Sequence, residues 1–432
     1  MNITRYFISS KRLRFNHLFG FTLLLSFNLF AQGISLEQAE QMALDSDPAQ
    51  QIYQSQQAAL IAQGIAGATL ADPMVKLGVA NLPTDSFALD KDPMTQLTLG
   101  LSQQFSRGSQ RELTREGFNQ QSALAVLQGQ DRQLMVKQSV QQLWFSILFV
   151  EKSQQLLNEK KALFSGFYRD LQSRFSLGLS DNEDLIAAEI ELNKFDDKIA
   201  GLAQQALNYR SLLSEWIGQY AYQPLPDDIP QWSETVVYIN RSNGRQQDHY
   251  ALLSRHPKAK LLAQNVLLAD NRIELAEQDY KPSFKVEVGY GHRLSEDPMG
   301  EPRSDLLSGF VSMDIPLFTG KRQDQKLISA QQIKGQKQAE QRLLLRQLNT
   351  LLTAEIVNYQ QLKERQSRYQ ESLLKQAKVH VKLLEESYQS NTRAFKEVID
   401  AYIHEQNLSL EYQQLYFDGL KSLSKIRYFQ AL

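Results

Sequence analysis

Side chains able to carry covalent or metal chemistry are scarce in this chain. It has no cysteine, so disulfides, thiolate catalysis, Cys-ligated metal and an N-terminal lipidated cysteine are excluded. The six histidines, at 17, 249, 256, 292, 380 and 404, show no ligand spacing, whereas a metal site needs three or four converging ligands. His380 falls near a helical seam and reads as a core or surface residue. Serine, histidine and aspartate occur without a nucleophile elbow, and the "GYG" at 289–291 belongs to a strand rather than a phosphate cradle. No catalytic residue, cofactor or metal site is expected. What remains is charge placed near two turns. Asp184 follows Gly178 by six residues, and Glu397 follows Asn391 by six, with Asp400 one turn further on the same helical face.

The elements carrying these turns occur twice. The stretch from Asp47-Pro48 to Ala188 and that from His256-Pro257 to Ala401 follow one plan: short helix, two alternating strands, a Gly plus basic turn, a very long heptad helix, a tip and a returning helix. Pro48 and Pro257 are 209 residues apart, as are Pro73 and Pro282; Gly108 and Gly320 are 212 apart, and Phe175 and Tyr388 are 213 apart. Such a long internal period implies duplication and must be read before local motifs. The expected organisation is a signal peptide (1–31), a first repeat (32–215), a linker (216–250) and a second repeat (251–432).

The 47 basic and 48 acidic residues nearly cancel over 432, which argues against a nucleic-acid partner. Arg5, Lys11, Arg12 and Arg14 precede an apolar run from Leu18 to Phe30 that ends at Ala31. A basic region, a short apolar run and a small residue read as a secretory signal, cleaved near Ala31 or Gly33. No later stretch of 18 apolar residues occurs, so an exported chain is left as periplasmic, secreted or an outer-membrane β-barrel.

Val136, Leu143, Val150, Leu157, Phe164 and Leu171 recur every seven residues in a proline-free stretch from Gly108 to Ser176, predicting a helix of about 100 Å. Beyond Gly178 a second seam runs from Leu185 through Phe195 to Trp216, making an antiparallel hairpin. The second copy carries Leu345, Leu348, Leu352, Tyr359, Leu373 and Leu383 on the same grid, then a return from Val398 to Ile426. Trp144 and Leu148 add a second apolar edge, which suits a closed ring of helices better than a two-helix rod. Four segments switch to period two: Val75–Val79, Leu97–Leu101, Phe284–Tyr290 and Val311–Ile315. Each is expected to reach roughly the 9–11 residues that cross a bilayer, and the Pro- and Asp-rich loops at 81–94 and 292–304 read as external. Open sheet edges are forbidden in lipid, and known barrels start at about eight strands, so four strands per chain demand an oligomer. Three chains would supply twelve strands and twelve helical passes.

On these residues the mature chain resembles the TolC family of outer-membrane efflux ducts. The match is carried by the two helix starts, the turns "FSRGSQR" and "LFTGKRQ", and the tips "SRFSLGLS" and "SYQSNTRA". The resemblance implies a mainly α fold with a small β part: a homotrimer whose four strands per chain form a 12-stranded barrel in outer-membrane lipid, continued by a helical coiled-coil barrel into the periplasm. It further implies a periplasmic adaptor (membrane fusion protein), an inner-membrane pump of the RND type, and an equatorial role for the proline-containing segment around 216–250. The missing lipidation cysteine leaves anchoring to the barrel alone.

The same resemblance assigns roles at the tips. Asp184, Glu397 and Asp400 match the family's acidic rings, and three chains would stack carboxylates that concentrate cations. Tyr388 and Arg393 match its resting gate. Arg174, Phe175, Leu177, Gly178 and Leu179 match the element that meets the adaptor. The function implied is a passive exit duct of a tripartite pump, not an enzyme. Residues 71–85 and the chain length resemble the heavy-metal branch; the alternatives are a drug or type I secretion duct, or a non-channel periplasmic adaptor.

Overall fold

The computed structural model describes residues 33–242, 249–390 and 392–432. The signal-peptide expectation and the Asn391 position lie outside these. The first element, α1 (Leu36–Ser46), precedes the repeat plan expected from sequence. Ser35 and Gln38 form a reciprocal capping box at its start. A helix α2 (Ala49–Gly67) then leads to strands β1 (Met74–Ala80) and β2 (Gln96–Phe105). The long helix α3 (Gln110–Ser176) has 67 residues, matching the expected length of about 100 Å. Helix α4 (Asn182–Ile217) returns beside it, and a 3₁₀ turn (Gly218–Tyr222), α5 (Ser233–Arg241) and α6 (Tyr250–Leu253) follow.

The second copy repeats the plan with α7 (Pro257–Gln278), β3 (Phe284–His292), β4 (Leu306–Met313) and α8 (Gln323–Arg368). A π-helical turn (Tyr369–Leu373) joins α8 to α9 (Leu374–Gln389), and α10 (Phe395–Gln430) returns. Both copies begin their first helix alike. The Asp47 carboxylate accepts from the Ala49 amide at 3.1 Å, and His256 Nδ1 accepts from the Lys258 amide at 3.2 Å. Two different side chains therefore satisfy the orphan amide that follows a proline, which itself cannot donate.

The heptad reading of α3 holds: Val136, Val150, Leu157, Phe164 and Leu171 are buried, with Trp144 and Leu148 at 0% and 2% exposure on the second edge. In the second copy the seam slips. Leu383 is 55% exposed, while Ala377, Val381 and Tyr388 are buried. The π turn inserts one residue, and every later side chain rotates by one position, so the seam moves off Leu383. The main core lies where α1 and the 223–241 segment press on the middle of α3 and the end of α10. There Phe145 meets Trp232 edge-on at 5.7 Å, and the Arg427 guanidinium lies 4.8 Å over the Trp232 ring. Gln141 clamps the layers, donating to Glu40 at 2.9 Å and accepting from Ser424 at 2.6 Å. Burial pushes the Glu40 carboxyl up.

The four strands form one antiparallel sheet in the order β1-β2-β3-β4. Their lengths are 7, 10, 9 and 8 residues, so β1 and β4 fall short of the expected span. Ile315, expected in the fourth strand, lies beyond its end. Across the sheet Leu77, Leu99, Tyr290 and Leu307 stand in one row, 80%, 50%, 46% and 79% exposed. The opposite face carries Lys76, Thr98, Gly100, Glu287, Gly289 and Ser308. Lys76 Nζ reaches Glu287 at 2.7 Å across β2, where Gly100 has no side chain to obstruct it. The row of large apolar side chains is therefore exposed, and the opposite face, which also holds Leu306 and Phe310, pairs its Lys76 and Glu287 charges.

Candidate functional site at the helical tips

The ends of α3 and α9 and the starts of α4 and α10 converge on a second core. Leu157, Phe164 and Leu171 of α3 meet Phe195 of α4, Tyr388 of α9 and Phe395 of α10. Helical periodicity accounts for this meeting, because each helix presents its seam to the other three. The α3 turn closes with the Leu179 amide donating to Arg174 O at 2.9 Å and the Gly178 amide to Phe175 O at 3.0 Å. That pattern needs a left-handed residue, which Gly178 supplies at φ +71°. At the second tip the Thr392 amide donates to Ser387 O at 2.9 Å, the same six-to-one bond.

The residues matched to adaptor docking divide in two. Phe175, Leu177 and Leu179 are 41%, 72% and 68% exposed, an apolar knuckle around Gly178. Arg174 instead turns inward. Its guanidinium lies 4.8 Å over the Tyr388 ring and its Nε sits 3.6 Å from Asp170, so it ties the two hairpins together. Tyr388 is buried against Phe395 with ring centroids 5.3 Å apart, and its hydroxyl has no hydrogen-bond partner among the described residues.

Arg393 and Glu397 pair at 3.1 Å, so this carboxylate is already compensated within its own helix turn. Asp400 is exposed and makes no ion pair among the described residues. Asp184 opens α4 beside Glu183 and Asp181; burial, then the charge of Asp181 and Glu183, pushes its carboxyl up. Two contacts escape the sequence reading. The Tyr402 hydroxyl donates to Glu385 while its ring meets Phe167 edge-on at 5.1 Å; burial first, then Glu385, pushes this phenol up. Lys160 pairs with Glu405, whose side chain is 3% exposed. Tyr402 follows Phe395 and Val398 at helical spacing, which marks the face but not its partner on α9.

No protein-family model and no curated protein matches this chain. Solved structures do. Structures of CusC, reported in connection with folding and transmembrane channel formation, align with TM-score 0.74 and 14% identity over 92% of both chains. The outer membrane protein VceC from Vibrio cholerae aligns with TM-score 0.74 and 14% identity, covering 92% of this chain and 96% of that one. The open-state outer membrane channel MtrE of Neisseria gonorrhoeae gives 0.71 and 12%, over 92% and 88%. At such identities the likeness establishes the fold: this chain has the TolC-like fold, a small antiparallel sheet set on a long helical bundle.

Proposed function

We propose that this chain is a TolC-family exit duct, conducting substrates passively through the outer membrane as part of a tripartite efflux pump. The observation that carries the reading is the sheet: among the described residues nothing covers its outward row of large apolar side chains and nothing pairs with its two edges. In water such a face and such edges invite aggregation; in lipid the face is at home, but the edges must be closed. Three chains close them as twelve strands, and the Lys76–Glu287 face becomes the polar lining. Helices α3, α4, α8–α9 and α10 then form the periplasmic tunnel, with the segment around 216–250 as its equatorial belt.

At the far end the acidic residues Asp184, Glu397 and Asp400 line the mouth, with Tyr388 and Arg393 as gate residues. The exposed knuckle at Phe175, Leu177 and Leu179 docks a periplasmic adaptor that links the duct to an RND-type pump. Heavy-metal cations are the cargo class that the acidic mouth suits best. The test is fractionation together with gel mobility. The protein should enter the outer-membrane fraction, run as a heat-modifiable trimer, and give discrete conductance steps in planar bilayers. Recovery as a soluble periplasmic protein would reject the duct.

A further inference from the structure

The duplication visible in sequence is exact enough in space to assign the subunit interface. Shifting β1 by 209 residues and β2 by 212 turns the pairs Val75↔Leu101 and Leu77↔Leu99 into Phe284↔Met313 and Val286↔Val311, and both are observed. The two hairpins thus share one register. The joint between them, β2 against β3, occurs once inside the chain. Its counterpart, β4 against β1, is not formed among the described residues, and both strands there are open edges.

We infer that β4 of one subunit pairs with β1 of a second copy of this chain in the register of the β2–β3 joint, and that residues 314–317 become strand when it does. The same two shifts convert Leu101↔Val288, Gln103↔Val286 and Phe105↔Phe284 into Met313↔Val79, Ile315↔Leu77 and Leu317↔Val75, the second residue of each lying in the other copy. Every residue of these three pairs is apolar, and Val75, Leu77 and Val79 belong to the uncovered face. A slip by one residue would set that face against Ser312 and Asp314.

The backbone agrees. Asp314 donates its amide to Ser283 O, so it faces β3, and alternation turns Met313, Ile315 and Leu317 toward the open edge. Pro316, which has no amide hydrogen, faces the β3 side beyond the end of that strand, where no donor is called for. In the single chain Leu317 spends its amide on Ile315 O at 2.9 Å, and Ile315, Leu317 and Phe318 are 61%, 72% and 91% exposed. Extension through Leu317 would also bring β4 to a membrane-spanning length.

Charge fits below the strands. Inside the chain the first-copy turn packs on the end of α7: Ser109 donates its amide to Gln278 at 3.1 Å, and Gly108 lies against the Lys281 side chain. The counterparts of Ser109, Gly108 and Lys281 are Lys321, Gly320 and Asp72. Lys321, the adjacent Arg322 and Asp72 are all exposed, and none makes an ion pair among the described residues. The register sets these opposite charges side by side across the subunit boundary.

This inference rests on the trimeric-duct reading, and the experiment separates the two. The chain has no cysteine, so introduced pairs report cleanly. Ser312 and Ala80 of the neighbouring copy are matched as a non-hydrogen-bonded pair, the closer kind, within reach of a disulfide. The double variant Ser312→Cys/Ala80→Cys, oxidised in outer membranes, should give covalent trimers at least about tenfold faster than Ser312→Cys/Gly78→Cys or Ser312→Cys/Leu82→Cys, each displaced by two residues. Faster linkage in either displaced pair, or none in any variant that runs as a trimer when reduced, overturns the register and leaves the duct standing. A cysteine-free parent chain that is monomeric in detergent overturns the duct reading itself.

Discussion

Asp47 and His256 hold equivalent places before the prolines that open α2 and α7, and each caps its helix with a side-chain acceptor. Their electrostatics differ. Burial alone would raise the Asp47 carboxyl, but Arg132, donating at 2.8 and 3.3 Å, and the Ala49 amide hold it below the usual range. The position matching Arg132 in the second copy is Leu344, so a carboxylate at 256 would have no guanidinium. His256 fills the place as a neutral ring, its Nε2 lying 3.1 Å from Tyr428 O. Burial pushes its pKa below the ordinary value, against the opposing pull of Asp131, while Lys258 adds to the depression. The unfolded chain therefore binds the proton more readily than the folded one. Stability from this site is complete above the ordinary value of about 6.5 and falls as pH drops through the folded pKa. His256→Asn keeps an acceptor for Lys258 and does not titrate. Its apparent melting midpoint should decline less between pH 7 and 5 than that of the parent protein; equal slopes would remove His256 from the acid response.

At the scale of elements, the uneven spacing of the duplication acquires physical causes. Landmarks 209 residues apart before the strands are 212 apart after them, and the three extra residues fall in the second strand-connecting loop, between Gly289 and Ser308 rather than Ala80 and Gln96. Surface loops absorb such insertions at little cost. The step from 212 to 213 falls within the second long helix, where a loop is not available. The Tyr369–Leu373 π turn takes up that residue and re-registers the seam. Heptad counting finds the helix and misplaces Leu383, because a single-residue insertion leaves composition and periodicity on either side intact. Deleting the exposed Gln370 should convert the π turn to α-helix and leave apparent stability within about 1 kcal/mol of the parent. Deleting the exposed Arg342 should instead rotate Leu348, Leu352 and Ile356 off the core and cost roughly 3 kcal/mol or more. Thermal unfolding of the two purified deletions compares them directly; an equal loss in both would mean the π turn has another cause.

At the scale of the whole molecule, an acidic mouth would exist only in the proposed assembly. In one chain Glu397 is paired with Arg393, and Asp400 makes no ion pair among the described residues, so neither makes a strong field alone. Three chains around one axis would set three Asp400 carboxylates at one level, with Glu397 one helical turn away, in a tunnel whose walls focus the field. Replacing both Glu397 and Asp400 by alanine should therefore lower cation selectivity, read as a shift of reversal potential toward zero in asymmetric salt across a planar bilayer. Unchanged reversal potentials would place these residues outside the conducting path.

Sequence alone determined the duplication, the two long helical hairpins and the four alternating strands, since these follow from periodicity. Helix α1 is legible too, in the capping box of Ser35 and Gln38. Only the tertiary structure decided where the seam re-registers, that Arg174 turns inward onto Tyr388, that Glu385 receives the Tyr402 hydroxyl, and that both hairpins keep one strand register. Those outcomes depend on contacts between residues distant in the chain, and periodicity reports the face a side chain occupies but not the group it meets there.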